Sequence, residues 1–142
     1  MITEEELKAL LADLESDRVE RTRATKDTDK FSIAVCAFAN DMPGHGKPGY
    51  LLVGVGDDGK PSGLKVTDEL LQTLAALRSD GNILPMPALV VNRFALQDGD
   101  VAVVEVHPAF MPPVRFKGQI WIRVGPRRGI ANEQEERMLT ER

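Results

Sequence analysis

The side chains able to do chemistry in this sequence are unevenly spread. Residues 111–130 hold five bases and no acid: Arg115, Lys117, Arg123, Arg127 and Arg128. Residues 21–30 hold four more, Arg21, Arg23, Lys26 and Lys30, against two acids. Cations grouped this way suit the phosphates of a polyanion, because a field acting within about 10 Å survives physiological salt. The alternative is a set of solvated strand and loop charges. The whole-chain charge of −4 argues against a nucleic-acid binder when taken alone. Much of that charge comes from residues 1–20, with seven acids and two bases.

Other reactive residues are few. A single cysteine, Cys36, excludes an intramolecular disulfide and an all-cysteine metal site. It lies in an apolar run and reads as a small core hydrophobe. Two histidines, His45 and His107, make a histidine-rich metal site a poor expectation. His107 precedes Pro108 and reads as a hydrogen-bonded edge residue. Gly44-His45-Gly46-Lys47 glances at a phosphate loop but lacks its spacing and its Ser or Thr after Lys, so a nucleotide site is not expected. His45 and Lys47 can still meet nucleic acid from a flexible, solvated loop. Arg123 alternates with Trp121, and with Arg115 and Lys117 on the preceding strand it makes a candidate phosphate-binding face. The alternative role for Arg123 is a cross-strand ion pair. One Trp, one Tyr and five Phe are too few for a platform that stacks several bases.

The elements that must position these groups can be read from periodicity. Leu7, Leu10, Leu11 and Leu14 predict a helix over 4–14, with acids in its first turn. Residues 18–23 alternate as a short strand. Asp27 and Asp29 offer caps for a helix to about Asn40, apolar almost all round and therefore buried, with Asn40 as its C-cap. Residues 41–49 are a Pro/Gly loop. Tyr50–Val55 is a buried strand stopped by Gly56-Asp57-Asp58-Gly59, with Ser62-Gly63-Leu64 pairing back. Thr67 caps a helix to about Arg78. Strands follow near 88–96, 101–107, 113–117 and 119–124. Asn132 and Glu135 make a capping-box start for a last helix, whose weak apolar face reads as a linker to a further domain. The order predicts an α+β fold, a mixed or antiparallel sheet packed by helices in a single domain spanning 1–142. A chain 42% hydrophobic and 28% charged is rich enough for one core. Its longest apolar run, Ile33–Ala39, is far short of a membrane span. With no basic-then-apolar leader, the expectation is a cytoplasmic protein with no membrane partner.

Three stretches taken together carry a resemblance: Glu15-Ser-Asp-Arg-Val-Glu20, Cys36-Ala-Phe-Ala-Asn40, and Gly49-Tyr-Leu-Leu-Val-Gly-Val-Gly-Asp57-Asp58-Gly59. Pro112-Pro113 and Ile120-Trp-Ile-Arg-Val-Gly125 continue it. In order and spacing they resemble the AlbA-like domain of the Schlafen family, described as DNA-binding, over a core of about residues 10–135. The resemblance implies an N-terminal part of a longer protein, a transcriptional regulator or helicase-like protein, with DNA or RNA as partner. In vertebrate members a doubled copy cleaves structured RNA such as tRNA, using three carboxylates and a divalent metal. The matching positions here are Glu15, Glu20 and Asp57, with Asp58 the alternative third. Mg²⁺ or Mn²⁺ on such carboxylates can activate water and neutralise a phosphoryl transition state.

Five residues of helix would set Glu15 and Glu20 about 140° apart, and a strand would put them on opposite faces. They converge only if the chain turns between them, at Ser16 and Asp17. The sequence departs from the family in having Arg21 and Thr22 where an apolar residue and Lys are usual, and in the longer loop Asp41–Pro48. Three functions therefore stand. The first is a nucleic-acid-binding module contacting phosphates through Arg21, Arg23, Lys47, Arg115, Lys117, Arg123, Arg127 and Arg128. The second is a metal-dependent endoribonuclease, and the third a dimerisation domain, single copies pairing as homodimers.

Overall fold

The computed structural model describes every residue of the chain except Glu15. Among the described residues the order is α1 (Glu4–Ala12), β1 (Val19–Thr22), α2 (Thr28–Asn40), β2 (Gly49–Val53), α3 (Asp68–Ala76), β3 (Ile83–Leu84), β4 (Leu89–Leu96), β5 (Gly99–Val106), β6 (Arg115–Phe116), β7 (Trp121–Val124), β8 (Arg127–Ile130) and α4 (Glu133–Thr140). The α+β class stands. The strands divide into a four-stranded mixed sheet, β1-β2-β5-β4, and two-stranded sheets β3-β6 and β7-β8. β1 runs parallel to β2, with α2 as the crossover between them, and the other pairings are antiparallel.

The sheet is covered on both faces, as the five buried residues of β2 require. Leu51 and Val53 face α2 and α3, where they join Phe31, Val35, Leu74 and Val104. Tyr50 and Leu52 point the other way, to Leu7 of α1, Val19, Val101 and Val103. This is the period-two alternation of a strand serving two cores. α1 opens with a capping box, Glu6 N donating to Thr3 Oγ1 and Thr3 N to Glu6 Oε1, both at 3.1 Å. α2 lies tightly on the sheet because β2 begins at Gly49, where a Cβ would come within 2.2 Å of Phe38 Cδ1.

Three local expectations are corrected. Ser62-Gly63-Leu64 forms no strand; the return is one bridge, Val55 to Pro61, with Ser62 N on Gly54 O. β3 and β8 were not foreseen, being too short or too polar to show a period. Asn40 is not the C-cap of α2; Asp41 is, at φ 44°. Asn40 instead lies buried, and its amide bonds completely. Oδ1 accepts from Val114 N (2.6 Å), while Nδ2 donates to the carbonyls of Val114 (3.0 Å) and Trp121 (2.7 Å). Cys36, one turn earlier, donates Sγ–H to Val114 O, and burial pushes its thiol up to about 11. α4 docks on the domain: Leu139 is fully buried with Ile120 and Ile122, and the Arg142 guanidinium donates to the carbonyls of Asn40, Asp41 and Met42.

Asn40→Ala strands Val114 N, takes the Asn40 bond from the Trp121 carbonyl and leaves Val114 O with the Cys36 thiol alone. The expected cost is about 2–4 kcal/mol of unfolding free energy, measured by urea denaturation. A loss under about 1 kcal/mol would mean that these strands are held by other contacts.

Candidate nucleic-acid interface

The site grows from β7, which packs on α2 and reaches the edge of the main sheet through one side chain. β1 is an edge strand, so its outer backbone is free to meet another element. Arg123 of β7 fills that place. Its Nη2 donates to Val19 O at 2.9 Å and its Nη1 to Glu20 Oε1 at 2.7 Å, and its guanidinium lies 5.4 Å from the centre of the Phe38 ring. Both members of the pair are nearly buried, at 9% and 12% exposure of the side chain. In such surroundings each charge depends on the other, since either alone would be left with a desolvation cost. Glu20 Oε2 and Arg123 Nε are buried without a hydrogen-bond partner.

Around this pair opens a cleft of about 520 Å³, lined by Leu14, Ser16, Val19, Glu20, Arg21, Lys30, Asp57, Arg123, Pro126, Arg127 and Arg128. Five of these residues are cations and two are carboxylates. Arg21 forms the floor: its Nη2 donates to Leu10 O (2.8 Å) and Asp13 O (2.6 Å), closing the C-terminal end of α1. Burial lowers the Arg21 guanidinium from its ordinary value; Asp13 opposes this, Arg123 adds to it, and Asp57 opposes it. It remains a cation, as arginine does in proteins. Arg127 and Arg128 stand exposed on the β7-β8 hairpin, opposite Val124 and Arg123 in register. Neither their guanidinium groups nor the Lys30 ammonium pairs with any described residue. Among the described residues the cleft thus holds Arg21 fixed on backbone carbonyls and, toward the hairpin, cations without an ionic partner.

Asp57 reaches the cleft through the turn Gly56–Gly59. Gly59 has φ +80°, and a Cβ there would lie 2.3 Å from Leu11 O, so only glycine lets the turn close on α1. Asp58, the alternative third carboxylate, caps its own turn: Oδ1 accepts from Lys60 N at 3.0 Å, and the residue does not line the cleft. The direction change foreseen at Ser16 and Asp17 is present, with Arg18 N donating to Ser16 Oγ at 3.1 Å. Glu15 lies outside the described residues. Among the described residues no three His, Cys, Asp or Glu side chains gather as a metal cluster.

The remaining candidates are placed elsewhere. Arg115 pairs with Glu136 of α4 at 2.8 Å, and Lys117 lies 3.5 Å from Asp29 and 5.2 Å from the Phe116 ring centre. They do not form one face with Arg123, because β6 pairs with β3 and not with β7. Arg23 lies over Gly56 beside Asp58. Lys47 is exposed in the loop after α2, where His45 Nε2 meets Asp17 Oδ2 at 2.7 Å. His107 is tied to Glu105 at 3.0 Å, as an edge histidine should be. Lys30, named among the clustered cations but not as a contact residue, also lines the cleft. Its signal was its place among the bases of 21–30, in the first turn of α2.

The chain belongs to the Schlafen AlbA_2 family, whose pattern matches residues 15–132. It is similar to the solution structure of the N-terminal domain of a protein from Nitrosomonas europaea named as related to the ATP-dependent DNA helicase RecG. That likeness is 29% identity over 77% of this chain and 75% of that one, with a TM-score of 0.59. It also shares its fold with the DIP2311 protein of Corynebacterium diphtheriae, at 22% identity and a TM-score of 0.57, over 89% of this chain but 28% of that one. No curated protein matches the chain. No helix among the described residues is long and apolar enough to cross a membrane.

Arg123→Ala leaves Glu20 nearly buried without its cation. The expected loss of stability is about 3 kcal/mol, whereas Arg127→Ala on the exposed hairpin should stay within about 0.5 kcal/mol. Chemical denaturation of both variants tests the difference; equal small losses would contradict the role given to the Glu20–Arg123 pair.

Proposed function

We propose that this domain binds nucleic acid by its phosphates in the cleft between β1 and the β7-β8 hairpin. The observation that carries the reading is the charge of the cleft. Five cations face two described carboxylates there, although the chain as a whole is acidic at −4. Of the two acids Glu20 is neutralised by Arg123, which leaves Asp57 against Arg21, Lys30, Arg127 and Arg128. The exposed guanidinium groups of Arg127 and Arg128 and the Lys30 ammonium, which pair with no described residue, supply the phosphate contacts. Arg21 sets the positive potential beneath them, while Arg123 is matched by Glu20. With few aromatic side chains in the chain, contact is to the backbone and not to stacked bases. DNA bound by a transcriptional regulator is the setting this reading favours.

Its test is affinity for duplex DNA and structured RNA as a function of salt. Each neutralised phosphate adds close to one unit of slope in log affinity against log salt. Arg127→Ala with Arg128→Ala should therefore weaken binding at low salt and reduce the slope by about 2. Salt-insensitive binding, or a slope unchanged in the double variant, would overturn the reading.

A second reading, metal-dependent endoribonuclease activity, is favoured by one observation. Glu20 Oε2 is buried with no hydrogen-bond partner in the cleft that Asp57 also lines. Carboxylate oxygens of this kind fit a hard divalent cation such as Mg²⁺ or Mn²⁺, with Glu20 and Asp57 as the residues that would hold it. Bound there, the metal would supply an activated water and charge neutralisation at phosphorus. Glu20→Gln should then abolish Mn²⁺-dependent cleavage of structured RNA while sparing binding. Cleavage that persists in the variant, or in EDTA, would contradict this second reading.

A further inference from the structure

Glu20 is the carboxylate whose buried oxygen suits a divalent cation, and it already holds a guanidinium. Arg123 Nη1 donates to Glu20 Oε1 at 2.7 Å, while Glu20 Oε2 stays buried without a hydrogen-bond partner. Arg123 is held on two further sides. Its Nη2 donates to Val19 O at 2.9 Å, and the centre of the Phe38 ring lies 5.4 Å from its guanidinium. Leaving Glu20 would strand this charge in a nearly buried place.

Arg123 and a metal therefore compete for one carboxylate. A divalent cation at Glu20 Oε2 would share that group with the guanidinium, in surroundings where water screens little. Four more cations, Arg21, Lys30, Arg127 and Arg128, line the same cleft, and Asp57 is its one other described carboxylate. The free cleft opposes added positive charge. Negative charge from outside reverses the balance. Phosphates at Lys30, Arg127 and Arg128 would neutralise those cations, and phosphate oxygens are donors that hard divalent cations accept.

We propose that Arg123 reserves Glu20: in the free domain it keeps divalent cations off the carboxylate, and nucleic-acid phosphate in the cleft admits them. This rests on the endoribonuclease reading, in which Glu20 and Asp57 hold the metal, and adds to it an order of assembly. Metal and nucleic acid then strengthen each other's binding, by the same factor in both directions. The sign separates this from plain phosphate contact. There, a divalent cation competes with the protein's own cations for the phosphates and weakens binding.

Two binding measurements test it, neither of them cleavage. The first is Mn²⁺ binding to the domain alone, read from the loss of the free-ion EPR signal. Arg123→Gln removes the charge but keeps a donor, and it should bind Mn²⁺ about tenfold or more tighter than the wild type. Arg123→Lys keeps the charge and should stay with the wild type. The second measurement uses the unaltered chain and a labelled DNA duplex, which an endoribonuclease leaves intact. Fluorescence anisotropy compares its affinity in Mn²⁺ with that in NaCl at equal ionic strength. Mn²⁺ should raise the affinity about fivefold or more, and Glu20→Gln should abolish the gain. A wild type that binds Mn²⁺ alone as tightly as Arg123→Gln overturns the proposal and leaves the metal reading standing. So does duplex affinity that falls in Mn²⁺ while Arg123→Gln binds the ion. Mn²⁺ binding to neither form, with or without duplex, overturns the metal reading and the proposal together. Should Arg123→Gln not fold, the sign of the Mn²⁺ effect on the wild type decides alone.

Discussion

One buried amide sets the geometry on which the cleft depends. Asn40 ends α2, the helix packed across the main sheet, and its side chain holds the backbone of Val114 and Trp121. Its three bonds fasten two strands outside the main sheet to the crossover helix. With Trp121 fixed, β7 packs on α2, and two residues later the Arg123 side chain reaches Glu20 and Val19 O of β1. The hairpin carrying Arg127 and Arg128 follows from the same anchor. A small polar side chain thus does what a longer strand pairing would otherwise do, and it can because every donor and acceptor on it is used.

The Glu20–Arg123 pair then decides the electrostatic character of the cleft. In a nearly buried site the pair is close to neutral as seen from outside, so it neither repels a phosphate nor strongly attracts one. What a ligand meets is the surplus: Arg21 below, Lys30 and the two hairpin arginines at the rim. Whole-chain charge is a poor guide here. Acids of residues 1–20 gather in the first turn of α1, while Arg21, Lys30, Arg123, Arg127 and Arg128 converge on one edge of the sheet.

The sequence revealed what repeats with a period or obeys turn chemistry. The amphipathic and buried helices, the Gly56–Gly59 stop and the Asn132–Glu135 capping box are local features, and each stands within a few residues of its expected place. Contacts between distant residues were less legible. Nothing near Arg115 shows that β6 would pair with β3, carrying it to Glu136 and away from Arg123. Asn40 was read as a cap because a local role suffices for Asn at a helix end; its partners lie 74 and 81 residues away. Glu20 and Asp57 do share the cleft, an arrangement that spacing alone left open. The apolar pair Phe110-Met111 gave no period, and its exposure emerges only when the loops around it are placed.

The most direct test of the central claim is an NMR titration of the ¹⁵N-labelled domain with a short nucleic-acid duplex at low salt. The account predicts shifts at β1, at the Gly56–Gly59 turn and along the β7-β8 hairpin, with the Arg123, Arg127 and Arg128 side-chain signals among the largest. β6 with Arg115 and Lys117 should stay unmoved. Shifts confined to β6 and α4, or none at any ratio, would contradict it.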